Sequence, residues 1–255
     1  MAGTLLLLKE AGWEVHYLNV SSGNLGSLTM TPAETARIRR REARAAAKVL
    51  GATWHAPMCD DLEIFYNDRN LRRVCAVIRA VEPAVILTHA PKDYMEDHMT
   101  TSRLAVTAAF ARGFPGYRSI PRRAAIPGPV TIYHASPHGS RDALRRAVQP
   151  GAFVETTSVH DRKREALECH ASQRGFLDST QRMDDYVKAM DELSRKVGKS
   201  SGRFRHAEGW TRHLHFGFCD EAADPLRDAL GRRYLVNRIY ERELEEREGD
   251  TDDAS

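Results

Sequence analysis

The sequence predicts an α/β protein, a three-layer sandwich with a mostly parallel sheet between helices. Three observations carry this. Short apolar runs alternate with helical stretches through residues 1–136, the order that builds parallel sheets. Polar, glycine-bearing or acidic loops follow several of those runs, on the carboxyl side where open α/β sheets place their ligands. The chain of 255 residues is long enough for one such domain with a substantial core, and its 42% hydrophobic content is that of an ordinary globular protein.

Taken in order, Leu5-Leu6-Leu7-Leu8 run straight into Lys9 and Glu10, so the stretch is too short and wrongly flanked for an export signal. It reads as the apolar stripe of a first helix stopped at Gly12. No segment approaches the roughly 20 apolar residues of a membrane span, and a soluble, cytoplasmic protein is expected. "WEVHYLNV" (13–20) mixes β-branched and aromatic residues as a buried parallel strand does, and "SSGNLGS" is its carboxyl-end loop. "TPAE" (31–34) is a helix start, with Thr31 as N-cap, Pro32 at the first helical position and Glu34 completing a capping box. That helix is expected to reach Leu50 and stop at Gly51.

The second unit has a strand over 52–58, the loop with Asp60 and Asp61, and a helix over 68–81 in which Leu71, Val74, Cys75, Ile78 and Val81 keep a 3.6-residue period. "AVILTH" (84–89) is a third strand, "APKDYMED" its loop, and a helix follows from near His98 to Arg112. The Gly/Pro/Arg-rich 113–129 reads as a long surface loop beside the site. "VTIYHAS" (130–136) is a further strand, and "FVETTSV" (153–159) leads into a helix over 160–176. An amphipathic helix over 180–197 carries Met183, Tyr186, Val187, Met190, Leu193 and Val197 on one side, before a flexible loop over 198–203. "HLHFGF" (213–218) reads as a possible strand with His213 and His215 on one face. A single domain over 1–238 is expected, with 239–255 as a solvated acidic tail.

The formal charge of +3 conceals an asymmetry: residues 241–255 hold eight acids and two arginines, a local −6 that leaves +9 on the rest. The basic excess could attract an anionic substrate, although most arginines fall at helical spacing. There is no nucleic-acid motif, and no G-x-G-x-x-G or P-loop follows any strand, which weighs against a nucleotide-binding transferase. Four dispersed cysteines without a C-x-x-C pair point to reduced thiols.

The densest polar cluster is "THAPKDYMEDHMTTSRL" (88–104), which places His89, Asp93, Glu96, Asp97 and His98 after a strand and at a helix start. Imidazole and carboxylate are the ligands of a catalytic zinc that keeps one position open. A helix-capping Asp97 and an exposed His98 explain the same spacing without a metal.

This segment resembles the second metal motif of the PIG-L/LmbE-like de-N-acetylases, in which a strand ends in an H-P-x-D-x-H-x-D-H loop. "IRRREARAAAKVLGA" (38–52) is similar to the family's R-x-x-E helix, and "GTLLLLKEAGWEVHYLNVSSG" to its first helix and second strand. "FVETTSVHDRKREALECHASQ" (153–173) resembles its K-x-x-A-L-x-x-H-x-S-Q helix. The resemblance implies a Rossmann-like fold and one divalent ion, usually zinc, that hydrolyses an N-acetyl or similar acyl group from an amino-sugar derivative. The partner it implies is thus a small N-acylated sugar or sugar conjugate, and the sequence leaves room for a homo-oligomer. By position it makes His98 the metal ligand and Asp97 a catalytic polar residue, with Arg39, Asn24 and Asp93 at the substrate.

Two departures qualify what the resemblance implies. The family's A-H-P-D-D motif, which supplies two ligands and a base, precedes the position matched by Gly3 and has no counterpart here. A lost first strand and an internal Met1 are therefore expected, with a non-hydrolytic, ligand-binding member as the alternative reading. Met95 stands where many members have a histidine that steadies the developing oxyanion, and a lost donor of that kind costs roughly 10²–10³ in rate. His170, Ser172 and Gln173 read as a helix-docking group, His89 as either a site neighbour or a satisfied strand-end residue, and Asp60 and Asp61 as turn caps or substrate contacts.

Overall fold

A computed structural model describes the backbone of residues 1–174, 176–177 and 186–252. The first half follows the expected alternation: α1 (Ala2–Glu10), β1 (His16–Leu18), α2 (Pro32–Leu50), β2 (Thr53–His55), α3 (Asp68–Val81), β3 (Val85–Thr88), α4 (Glu96–Ala111) and β4 (Thr131–Ala135). After it come β5 (Ala152–Glu155), α5 (His160–Glu168), α6 (Tyr186–Ser200), β6 (Ala207–Arg212), α7 (Pro225–Leu230), β7 (Tyr234–Val236) and α8 (Arg238–Asp252).

Local chemistry sets the boundaries. The Glu34 N–H donates to the Thr31 hydroxyl at 3.3 Å, while the Glu34 carboxylate accepts from the Thr31 N–H at 3.0 Å. At the other end of α2, Gly51 takes a left-handed φ of 66°, which costs glycine little. Leu6, Leu7 and Leu8 are all buried, so the leucine run is part of the core. No described helix is long and apolar enough to cross a membrane.

The sheet departs from the mostly parallel one expected. β1 pairs with β2 and β3 with β4 in parallel, but the order β3-β4-β6-β5-β7 is completed by three antiparallel pairings. The reason lies in β6, which enters between β4 and β5 with opposite polarity to both. Its sequence, Ala-Glu-Gly-Trp-Thr-Arg, lacks the apolar run that marks a central strand, and the sequence reading passed over it, together with β7 and α7. Among the described residues no ladder joins β1 to β3, so the β1-β2 pair and the five-stranded sheet are separate.

Helices cover both faces. On one side α1, α2 and α5 pack together over Leu6, Leu7, Leu50, Tyr133, Val154 and Trp210. On the other, α3 and α4 pack over Val74, Cys75, Ile78, Leu104, Val130 and Ile132. Ile132 and Tyr133 are successive strand residues serving opposite cores, as the period of two requires.

The 113–129 loop is not beside the carboxyl-end loops. It leaves the end of α4 and leads into the start of β4, at the amino edge of the sheet. Arg79, 4% exposed near the end of α3, holds it there by donating to the carbonyls of Ala111, Arg112, Phe114, Tyr117 and Arg123 at 2.8–3.1 Å.

Three further expectations shift. The helix expected over 160–176 stops at Glu168, and Ala171–Gln173 form a separate short turn. The 180–197 helix is described from Tyr186, so Met183 lies outside the described residues. It continues to Ser200, into the expected loop, because Gly198 allows close approach: a Cβ there would meet the Arg205 carbonyl oxygen at 2.6 Å. Part of the expected acidic tail, through Asp252, is helical, consistent with its Glu, Arg and Leu content.

Candidate metal site

β3 ends at Thr88, and the seven residues from His89 to Met95 lead into α4 at the carboxyl edge of the sheet. Asp93 turns this loop by accepting the Met95 N–H at 3.2 Å on Oδ1. The same oxygen lies 3.1 Å from His98 Nδ1, one turn into α4. The His89 and His98 rings stack at 4.3 Å with planes 6° apart. One donor atom from each of His89, Asp93 and His98 falls within 4.8 Å of the others.

The charge arrangement is one that a cation could complete. Asp93 is 3% exposed, and its ion-pair partner is the imidazole of His98 rather than a lysine or arginine. Burial, reinforced by the neighbouring His98, pushes the His89 pKa down to about 4, so its ring is neutral at pH 7 with a lone pair to share. Two imidazoles and a buried carboxylate are the donor set of a divalent transition metal.

A second tier supports the loop. His134, buried at the end of β4 opposite Thr88, places Nδ1 at 2.8 Å from the His89 carbonyl oxygen and 3.2 Å from the Ser102 hydroxyl. Its Nε2 lies 3.0 Å from His213 Nδ1. His213 and His215 are not on a strand, since β6 ends at Arg212. The exposed Tyr94 ring stands edge-on to His98 at 5.6 Å.

Of the residues singled out from sequence, the structure brings Asp93 and His98 together and adds His89 as the third member. Asp97 reaches the 60s loop through one carboxylate oxygen, its Oδ2 accepting the Leu62 N–H at 2.9 Å. Asn24 accepts the Asp61 N–H at 2.8 Å, and the Asp61 carboxylate accepts the N–H groups of Gly23 and Leu25, both at 3.0 Å. Asp61 is thus the post around which the 21–25 loop winds. Arg39, 5% exposed, reaches the Gly26 carbonyl at 2.7 Å through Nη2, while its Nε and Nη1 have no hydrogen-bond partner among the described residues. Burial lowers its pKa. Ser172 is held by Glu42 of α2, its N–H at 2.8 Å and its hydroxyl at 2.7 Å, which is a docking contact. The sequence reading missed His134 and Ser102; a histidine closing an otherwise apolar strand was the available signal.

Comparison with known proteins bears on this geometry. Residues 1–109, from α1 nearly to the end of α4, match the family model described as PIG-L, GlcNAc-PI de-N-acetylase. The chain is 31% identical over 216 residues to 4-oxalmesaconate hydratase of Pseudomonas putida, spanning 81% of each chain. It is 26% identical over 217 residues to diacetylchitobiose deacetylase of Thermococcus kodakarensis, spanning 82% of this chain and 76% of the relative. Among solved structures, the 4-carboxy-2-hydroxymuconate hydratase of Pseudomonas putida superposes with a TM-score of 0.63 at 28% identity, over 84% of this chain and 89% of that one. Matched along most of its length by enzymes of this type, in sequence and in fold, the chain belongs to the PIG-L family of enzymes.

Proposed function

We propose that the chain is a zinc-dependent hydrolase that removes an N-acetyl or similar acyl group from an amino-sugar derivative. The observation that carries the reading is the convergence of His89, Asp93 and His98 at the carboxyl edge of β3. In this reading His98 is the principal ligand, and Asp93 and His89 complete or orient the set. A divalent ion held there supplies the positive charge that polarises a carbonyl and makes water a nucleophile at neutral pH. The residues of the chain do the rest. Asp93 fixes the His98 ring through Nδ1, Asp97 is the carboxylate for proton transfer, and Arg39 and Asn24 shape the loop bordering the substrate.

The deacetylase relative and the family model support this reading. A second reading, hydration of a carbon–carbon double bond in a small tricarboxylate-type substrate, is favoured by the 31% identity to a hydratase and by Met95, which cannot donate to an oxyanion. Both readings place their metal at the same donor set. Incubating the purified chain with N,N'-diacetylchitobiose and, separately, with 4-oxalomesaconate separates them. Free amine released by the wild type and abolished in His98→Ala supports the deacetylase; loss of the conjugated substrate's ultraviolet absorbance supports the hydratase. Stoichiometric metal with neither activity leaves a ligand-binding member, and no bound metal overturns both catalytic readings.

A further inference from the structure

The loop that carries the three donor groups has two stems, the end of β3 and the first turns of α4. A single side chain touches both. His134 faces the His89 carbonyl oxygen on the first stem at 2.8 Å and, through the same nitrogen, the Ser102 hydroxyl on the second at 3.2 Å. Ser102 lies one helical turn beyond His98, so it belongs to the rigid base on which that imidazole stands. His134 itself is buried and anchored in the ladder by the pairing of its backbone with Thr88.

The protons of this arrangement follow from the partners. A carbonyl oxygen only accepts, so His134 Nδ1 carries the hydrogen and shares it between His89 and Ser102. With that hydrogen on Nδ1, Nε2 of the imidazole is left as the acceptor. His213 Nδ1, 3.0 Å away, must then be the donor, and it fixes both the tautomer and the ring orientation of His134. The pair thus forms a one-way chain from a half-buried imidazole to the backbone of a candidate ligand.

We propose that His134 is a positioning residue for divalent-metal binding: its Nδ1–H clamps the two stems of the His89–His98 loop at their base, and His213 locks it in that state. The proposal rests on the reading of His89, Asp93 and His98 as a metal site. No hydrogen bond to the ring of His89 is needed for this, because the clamp acts on its carbonyl and sets where the ring stands relative to His98. Outer groups that orient ligands in this way alter metal affinity by about 10–100-fold when removed.

The test is the zinc dissociation constant of the purified full chain by calorimetric titration, with the visible spectrum of the cobalt-substituted protein as a second readout. His134→Ala should weaken zinc binding about 10–100-fold and alter the cobalt band. His134→Asn, whose amide nitrogen reproduces the Nδ1 donor, should restore affinity to within about threefold on the same scale. His213→Ala, which disturbs only the half-buried outer ring, should give a smaller loss and serves if His134→Ala fails to fold. Wild-type affinity in a folded His134→Ala, or an equal loss in His134→Asn and His134→Ala, overturns the clamp while leaving the metal site standing. If the wild type binds no zinc, or His98→Ala binds as tightly as wild type, the underlying site falls and the clamp with it.

Discussion

Asp97 and Leu62 form a bond that ties α4 to the neighbouring loop: the Asp97 carboxylate accepts the Leu62 N–H at 2.9 Å, and Leu62 holds a φ of 63°. Left-handed backbone is uncommon for leucine, and this side chain is 64% exposed, so burial of the side chain does not compensate for it. Asp97 therefore has a structural task beside the proton-transfer role proposed for it. Replacing it with alanine should cost about 1–3 kcal/mol through the orphaned N–H, read from urea unfolding. Asp97→Asn keeps an acceptor oxygen and should fold near wild-type stability. If Asp97 also moves a proton, turnover falls in Asp97→Asn without that loss of stability.

Leu62→Gly should be neutral to stabilising by up to about 1 kcal/mol, because relief of left-handed strain offsets the greater freedom of glycine in the unfolded chain. A thermal melt of the single variant decides it. A clear loss of stability would show that the exposed leucine packs on something in solution.

Acid should destabilise the protein starting near pH 6.5. Burial lowers the pKa of His55, His89, His134, His170, His206 and His213, so the folded state holds them neutral where the unfolded chain takes up protons. Stability is then complete above the unfolded value of about 6.5 and declines as pH falls below it, down to about 4 for His89. His206 is the cleanest case: it is 5% exposed, stacked on His160 at 3.9 Å, and neither ring nitrogen has a hydrogen-bond partner among the described residues. His206→Phe should reduce the difference in melting temperature between pH 7.5 and pH 5.5.

Arg79→Met should lower stability by about 2–5 kcal/mol, since it strips the donor from five carbonyls at once. Zinc content should be unchanged, because the staple lies at the edge of the sheet opposite the His89–His98 loop. Parallel chemical unfolding and metal analysis test both halves.

Thr31→Ala should cost about 1 kcal/mol by removing half of the capping box. Circular dichroism during urea unfolding measures it.

The elements legible in the sequence were those whose signals are local. Thr31, Pro32, Glu34 and Gly51 bounded α2 at the observed residues, and the periodic spacing from Leu71 to Val81 gave α3. β6 was not legible because a glutamate and a glycine at its centre meet needs that only the fold reveals: Glu208 accepts from the N–H groups of Gly3 and Thr4 at the start of α1, and Gly209 leaves room for Ser136. At the site, Asp93 and His98 could be named because they share one short segment. His134 could not, since it reaches the site from β4, whose place beside β3 is set by long-range pairing, and His213, noted only on a possible strand, comes from just past the end of β6. Asn24 and Arg39 were visible as polar residues near a mouth, but their partners, Asp61 and Gly26, follow from how the 21–27 loop is wound.

The separation of β1 and β2 from the larger sheet has a consequence for how the molecule loosens. Among the described residues no rung connects the two, so fraying of the three-residue β1-β2 pair removes no hydrogen bond from β4, β6 or β5. Amide hydrogen exchange should divide accordingly, with His16–Leu18 and Thr53–His55 exchanging through a low-energy local event. The interior amides of β4, β5 and β6 should exchange only when the whole domain unfolds. The loops after β1 and β2, which carry Asn24 and Asp61, would then stay joined to the part that holds His89 and His98 by side-chain contacts such as Asp97 to Leu62 rather than by the sheet.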